Sequence, residues 1–500
     1  AIPRRLFLQG GATVAAFPAA AMRRTGERAR GVFDYLIAGA GTAGIPAAIF
    51  AARRGARVLL LDAADKIGGT LHLANGQVSA AGSRIQVKKG IKDDPDKHYA
   101  DVMRITRGRA DHDVVRRTVD EAPQTINWLL DNGLKPLAEH PVTGDAPGRP
   151  AYTTPRYLWG ANQGRDVLAV LLRELQPLLD GGRVLTVLNA RVIELLRDRH
   201  GAVVGARAQT PHGVRTYRGR HVLLCTGGYA MNPDAFFRHS GYPAYAAGAY
   251  PHNLGDGLEL VTAIGARLRG RELHRAGTGS ILSAPRFPAK VYARFNTVPQ
   301  ERLPWEIWVD RNGRRFIRED EPSTYQRELA LLRLPDLRYA IVFDQTIFED
   351  APVGISGWSR EKLLQHFDSH LMFVRAATLD ELALRLQINV EGLRRTVAVY
   401  NEAVARWSDP LSREYLPRPI ATPPFYGIVH LGHSATCSTG VVVDAQLRVL
   451  DGSGRPIANL YAAGELLGSG VTLGNAFTPG MMLTPALSIG RWLGATLPLG

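Results

Sequence analysis

The sequence predicts an α/β fold that opens on a parallel sheet. Three observations predict it. Phe33-Asp34-Tyr35-Leu36-Ile37-Ala38 reads as a buried strand. It runs into the glycine-rich turn Gly39-Ala40-Gly41-Thr42-Ala43-Gly44, and then into a helix of small residues from Ile45 to Arg54. A second strand, Arg57-Val58-Leu59-Leu60-Leu61, ends on Asp62. Strand, GxGxxG turn, helix, strand and acid in this order form a Rossmann-like dinucleotide-binding unit. The chain has 500 residues, 45% of them hydrophobic and 21% charged, which excludes a disordered or fibrous protein and suggests two to four domains.

Each residue of the turn has a physical task. Gly39 makes the tight turn, and Gly41 lets the backbone approach a pyrophosphate. Thr42 and Ala43 lie at the helix N-terminus that faces the phosphates. Gly44 allows the helix to pack closely on the strand. Asp62, with Ala63 beside it, is placed to accept ribose hydroxyls. After it come Gly68, Gly69 and Thr70, a Gly-Gly spacing that resembles FAD proteins rather than NAD proteins. Two distant segments point the same way. Val222 to Gly228 is a strand that ends in a turn through Thr226 and Gly227. Leu460-Tyr461-Ala462-Ala463-Gly464-Glu465 is a late strand with a Gly-Glu end.

With these segments in view, the chain resembles the fumarate reductase and succinate dehydrogenase flavoprotein superfamily, which includes the 3-ketosteroid dehydrogenases. The resemblance runs from about Asp34 to Leu497. It is carried by Ile67–Gly76, by the Thr125–Gly133 helix, by Asn253-Leu254-Gly255-Asp256-Gly257, by Asp310–Phe316 and by two later helices. It implies a Rossmann-like FAD-binding domain interrupted by an α+β cap domain. The FAD domain would hold residues 31–278 and 430–500, and the cap 279–429. Cap helices are expected at Ser359–Phe367, Leu379–Leu386 and Val390–Trp407. The resemblance also implies non-covalent FAD, held in part by Leu71, Asn75, Gly76, Val192, Asp256, Gly480, Met482 and Leu483, with substrate bound between cap and flavin. His72 lies one residue out of register with relatives that carry a histidyl link.

The chain departs from fumarate reductases at four positions where they place a cation or an acid. Gly277 falls where a His is expected, with His274 out of register. Thr436 replaces a second His, with His433 three residues earlier. Phe477 stands at a carboxylate-binding Arg. Ser323 stands where a proton-donating Arg follows the "RF" strand, so Arg327 would serve only after one extra helical turn. Two carboxylates would be desolvated without paired cations, which argues against a C4 dicarboxylate. Ketosteroid dehydrogenases transfer the proton through Tyr, and Tyr325 and Thr478-Pro479-Gly480 resemble their pattern. The implied reaction is desaturation or ene reduction next to a carbonyl, by hydride transfer with flavin N5. Tyr325, Arg327 and His433 are the candidate catalytic residues. Reduction of an anionic enoate, through a rearranged set such as Arg275, Arg294 and Arg327, is the alternative. A flavin electron-transfer protein without substrate chemistry is a second one. Tyr152 and Tyr157 lie in a loop that could reach the site.

Net charge is +15, and eight of the 61 basic residues are Lys. The arginines are interspersed with acids, so nucleic acid is not expected as a partner. Two cysteines exclude a disulfide framework and a multi-Cys metal cluster, and no metal is expected. Without a haem-attachment motif, electrons would pass to or from an external donor or acceptor. No apolar run of roughly 18 residues occurs, so no transmembrane helix is expected. Pro3-Arg4-Arg5-Leu6-Phe7-Leu8 resembles a twin-arginine signal, which implies a periplasmic or otherwise exported protein; a cytoplasmic one is the alternative.

Overall fold

The computed structural model describes residues 31–499, and the leader-like segment lies outside the described residues. Strand β1 (Val32–Ala38) is aromatic and aliphatic, and most of it is buried. Helix α1 (Gly44–Arg53) follows, then β2 (Val58–Leu61), which is buried throughout. Helices α2 (His112–Asp131) and α3 (Gly164–Asp180) lead to β3 (Val184–Val187). An antiparallel pair, β4 (Arg191–Arg197) and β5 (Val203–Thr210), precedes the long strand β6 (Gly213–Leu224). Further on come β7 (Ile307–Val309), α4 (Thr324–Leu332), β8 (Arg338–Asp344), β9 (Phe373–Ala376), α5 (Val390–Arg406) and β10 (Phe425–Leu431). The chain closes with β11 (Arg448–Leu450), β12 (Pro456–Ala462) and α6 (Leu483–Thr496).

The main sheet runs β11-β12-β6-β1-β2-β3, with β5 on the first half of β6 and β4 beyond it. β6 serves two partners. Gly213 to Arg218 pair antiparallel with β5, and Arg218 to Leu224 pair in parallel with β1. β12 also joins β6 in parallel, so the end of the chain completes the sheet begun at Val32. A second sheet, β7-β8-β10-β9, is antiparallel throughout. β8 and β10 are buried along their whole length because helices cover them. Helix α5 turns Leu393, Val397, Tyr400 and Ala403 inward, the spacing of one helical face. The two sheets have separate hydrophobic cores.

The helices expected in the second region are observed at Arg360–Ser369, Leu379–Arg385 and Val390–Arg406. Ser359 lies just outside the first because its hydroxyl caps the Lys362 N–H. Trp407 lies outside the last because its left-handed backbone ends α5. Among the described residues, no helix is long and apolar enough to cross a membrane.

One packing contact places the ends of two helices together. Gly490 and Gly494 of α6 lie against Ala43 and Ala47 of α1, and a Cβ on either glycine would run into the facing carbonyl. Tyr35 of β1 fixes the far end of α6 by donating to the Leu497 carbonyl at 3.0 Å.

Candidate active site

The N-termini of α1 and α6 open onto one elongated cleft. Neither helix has a side-chain cap or an acid in its first turn, so their free N–H groups are left for an anion. The turn before α1 is compact for a steric reason. Gly39 has a φ of 110°, and a Cβ there would drive into the Cys225 carbonyl. A Cβ on Gly44 would drive into the Gly39 carbonyl.

Sixteen of the residues expected at the cofactor line this cleft: Gly39, Gly41, Thr42, Ala43, Asp62, Ala63, Gly69, Thr70, Val192, Thr226, Gly227, Asp256, Gly464, Glu465, Met482 and Leu483. Gly44, Leu71, Asn75, Gly76 and Gly480 border it less directly. Gly44 packs α1 on the turn, and Leu71 is buried beneath the loop. Asn75 is exposed, Gly76 backs onto Gln163, and Gly480 backs onto Ser79. Tyr250 and His252 line the cleft as well, beside Asn253, and sequence reasoning missed these two. Their signal was present, since they run directly into the Asn253–Gly257 turn.

The polar groups of the cleft are few and specific. Asp62 accepts the Ala40 N–H at 2.6 Å and the Ala64 N–H at 2.7 Å, and burial still pushes its carboxyl up. Arg191 grips Asp256 with both contacts at 2.8 Å. Glu465 accepts the Cys437 N–H and the Asn253 amide, each at 3.1 Å, and burial raises it. The Thr226 hydroxyl is buried without a hydrogen-bond partner among the described residues. A glycine cradle, two uncapped helix ends, an acid at the end of β2 and an unpartnered hydroxyl between them fit FAD.

A parallel sheet with this cleft, joined to a second antiparallel unit, defines an FAD-dependent oxidoreductase. The chain belongs to the FAD binding domain family, which matches residues 34–477, and with it to the fumarate reductase and succinate dehydrogenase flavoprotein superfamily. It is 27% identical over 446 residues to a probable fumarate reductase of Shewanella frigidimarina, covering 87% of this chain and 70% of that one. It is 27% identical over 458 residues to the vinyl phenol reductase of Lactiplantibacillus plantarum, covering 86% and 89%. The fold matches that of a 3-ketosteroid Δ1-dehydrogenase from Sterolibacterium denitrificans with a TM-score of 0.68 at 20% identity, over 93% of this chain and 99% of that one.

The candidate catalytic residues lie outside the lining of this cleft: Tyr325 and Arg327 are on α4, and His433 follows β10 at the seam between the two units. A buried ion network fixes the approach to α4. Glu319 accepts from Arg315, from Arg413 at 3.0 Å and from the Trp308 N–H at 3.0 Å. Arg315 also pairs with Asp409, so its role is structural. Ser323 then caps α4, which puts Arg327 one helical turn further in. Arg327 is 1% exposed. It donates to the Glu321 carbonyl and to the Thr324 hydroxyl, but its Nε has no partner, and burial lowers its pKa. The Tyr325 hydroxyl accepts from Asn475 at 3.4 Å, and the Arg107 guanidinium covers its ring at 3.5 Å.

His433 lies on the other side of the seam. Its carbonyl accepts the Gly277 N–H at 3.2 Å, so the 277 and 433 segments are neighbours here. Its Nδ1 is buried without a partner, and burial and Arg294 push its pKa down to about 4. Of the rearranged cations, Arg275 is taken up by Glu328 at 3.0 Å. His274 is packed between Tyr242 and Phe236, and burial lowers it to about 4. His72 Nε2 lies 2.9 Å from the Ile67 carbonyl and braces its own loop. Cys437 is buried, with the Tyr229 N–H on its sulfur. Tyr157 sits in a short strand beside Val78–Ser79, and Tyr152 donates to the Pro479 carbonyl. Both tyrosines are therefore buried supports of the seam.

Proposed function

We propose that the protein moves hydride between FAD and a carbon–carbon bond conjugated to a carbonyl, in the direction of alkene reduction. The substrate is larger than fumarate, and electrons come from an external carrier. One observation carries the reading: Arg327 is 1% exposed and, among the described residues, forms no direct ion pair, although Glu321 and Glu328 act on its charge from further off. Burial also lowers its pKa, which improves it as a proton donor. The names of two relatives, a fumarate reductase and a vinyl phenol reductase, support reduction of a C=C bond.

Bound FAD supplies the hydride chemistry. The chain supplies the rest. We assign the pyrophosphate to Gly39, Gly41 and the α1 N-terminus, and the ribose to Asp62. Arg327 delivers the proton to the carbon next to the carbonyl. Tyr325 and the Glu319 network hold α4 in place. His433 is neutral near pH 7, and serves as a hydrogen-bonding wall of the seam. Arg4 and Arg5 support export of the folded, FAD-loaded protein, and a periplasmic fraction lacking it would refute that assignment.

A second reading has a specific observation behind it. The Tyr325 hydroxyl reaches the same seam, where it meets Asn475, as a ketosteroid-like desaturation would require. One experiment separates the two. The FAD-loaded protein is assayed with a reduced viologen dye against cyclic enones, aryl enoates and fumarate. Turnover of an enone or enoate, with Arg327→Lys slowed by about 10²–10⁴ and Tyr325→Phe nearly unchanged, is expected. The reverse order of the two variants would favour desaturation. Fumarate turnover of roughly 1–1000 per second would overturn the exclusion of dicarboxylates.

A further inference from the structure

Tyr250 and His252 line the cofactor cleft, yet neither belongs to the glycine turn, the helix ends or the acids assigned above. They sit on a built turn. The Asn253 N–H donates to the Tyr250 carbonyl at 2.9 Å, which closes a β-turn, and Pro251 fills its second position, where a fixed φ is favoured. The far end of the turn is bolted down. Asn253, 4% exposed, gives its amide to Glu465 at 3.1 Å and accepts the Met231 N–H on its carbonyl at 2.9 Å. The two rings are therefore held before a ligand arrives, and binding loses little to ordering them.

Three rings stand in a row along this wall. His72 and Tyr250 are stacked, with centroids 6.5 Å apart and planes 19° apart, and Tyr250 and His252 follow at 5.7 Å. His72 comes from the loop after β2, so the row joins two segments distant in sequence. Tyr250 is buried, and after burial Asp62 and Asp65 also push its hydroxyl up, which puts it on the Asp62 side of the cleft. Burial raises the carboxyls of Asp62 and Asp256, and the His252 ring is near enough to both to oppose that rise. The His252 Nδ1 is shielded from solvent and has no hydrogen-bond partner among the described residues. A polar atom left in that state costs free energy until a ligand or a neighbour meets its ring.

We infer that this turn is a strap that recognises and retains the adenosine half of FAD: His252 hydrogen-bonds to it beside Asp62 and Asp256, and the Tyr250 ring, backed by His72, covers it. The inference rests on the assignment of the ribose to Asp62. It adds the residues that commit the site to a ligand with an adenosine half and that slow its release. A glycine turn and bare helix ends hold phosphate, which any flavin nucleotide carries. The strap supplies contacts that only the dinucleotide can use.

The test is release of FAD from the diluted holoprotein, followed by the rise of flavin fluorescence, with and without ADP as the probe of the adenosine half. His252→Ala and Tyr250→Ala should each release FAD about tenfold or more faster than wild type. Tyr250→Phe keeps the ring and should hold FAD as wild type does. ADP should increase the FAD lost from wild type, by occupying the vacated site. The ADP concentration that gives half of this increase should rise about tenfold in His252→Ala. Wild-type release rates in both alanine variants, an ADP dependence unchanged in His252→Ala, or no effect of ADP on wild type would each overturn the inference. Asp62→Ala keeps the two readings apart. If it releases FAD faster while the His252 and Tyr250 variants behave as wild type, the strap alone fails. If Asp62→Ala itself retains FAD as wild type does, the ribose assignment fails with it.

Discussion

The cofactor cleft and the seam beside it are built by different means. The cleft is opened by backbone: Gly39, Gly41, two bare helix ends and Asp62 form one end of it, and Thr226, Gly227, Asp256, Gly464 and Glu465 reach it from later strands and turns. The seam is made of contacts between distant segments: Tyr325 with Asn475, Arg149 with Phe477, and Gly277 with His433. Backbone recognition tolerates little local change, because the atoms that do the work have no alternatives. Side-chain contacts are looser, because they depend on segments that only the fold brings together.

Breaking the backbone half should have the largest effect. Gly39→Val puts side-chain atoms into the Cys225 carbonyl, and is expected to abolish FAD retention and to unfold the turn. Flavin content after gel filtration and the midpoint of thermal unfolding would check this; normal flavin content would refute it. In the seam, Arg327→Lys should keep FAD and slow the chemical step by about 10²–10⁴, measured as flavin reoxidation in a stopped-flow mixing experiment. Asp62→Ala should weaken FAD by about 1.5–3 kcal/mol, since it removes charge-assisted hydrogen bonds. Dialysis followed by fluorescence of released flavin measures it, and unchanged retention would count against the ribose assignment.

The smallest effect sharpens the comparison through pH. His274 and His433 have pKa values depressed from 6.5 to about 4, and His430 to about 3, all by burial. The unfolded chain therefore binds more protons than the folded one between these values and 6.5. Stability from the three is full above about pH 6.5 and falls as pH drops toward 4, by about 1–3 kcal/mol per residue. Urea midpoints at pH 7 and pH 5 test this. Replacing His274 with Phe should flatten the fall, and an unaltered slope would exclude His274 as a contributor. Acid precipitation should also release free FAD, because His72 is engaged with Ile67; flavin that stays with the polypeptide would show a covalent link.

The same contrast explains what could be read in advance. The β1–α1–β2 unit was legible because turn, helix and acid are local and sterically forced. Thr226, Gly464 and Glu465 were legible because β6 and β12 each end at the cleft as a strand followed by a recognisable turn. The contact of Arg149 with Phe477 was not legible, because nothing in the 141–156 loop marks it. Arg327 was visible as a residue displaced by one turn, and Ser323 as the cap of α4 supplies the physical reason. The pairing of Arg275 with Glu328 was invisible, since neither lies in a motif.

The backbone bond between Gly277 and His433 has a consequence for how such a chain could be assembled or shortened. The segments that leave for the second sheet and return from it pass side by side. Everything between them forms a loop whose ends already meet, with its own hydrophobic core. Closing that gap with a short turn would cost little chain entropy, because closure depends only weakly on the length removed. Contacts from Tyr242, Tyr245 and Ala246 to Leu332, Asp336 and Ala289 would be lost with that segment, while β6, β1 and β12 would keep their pairing.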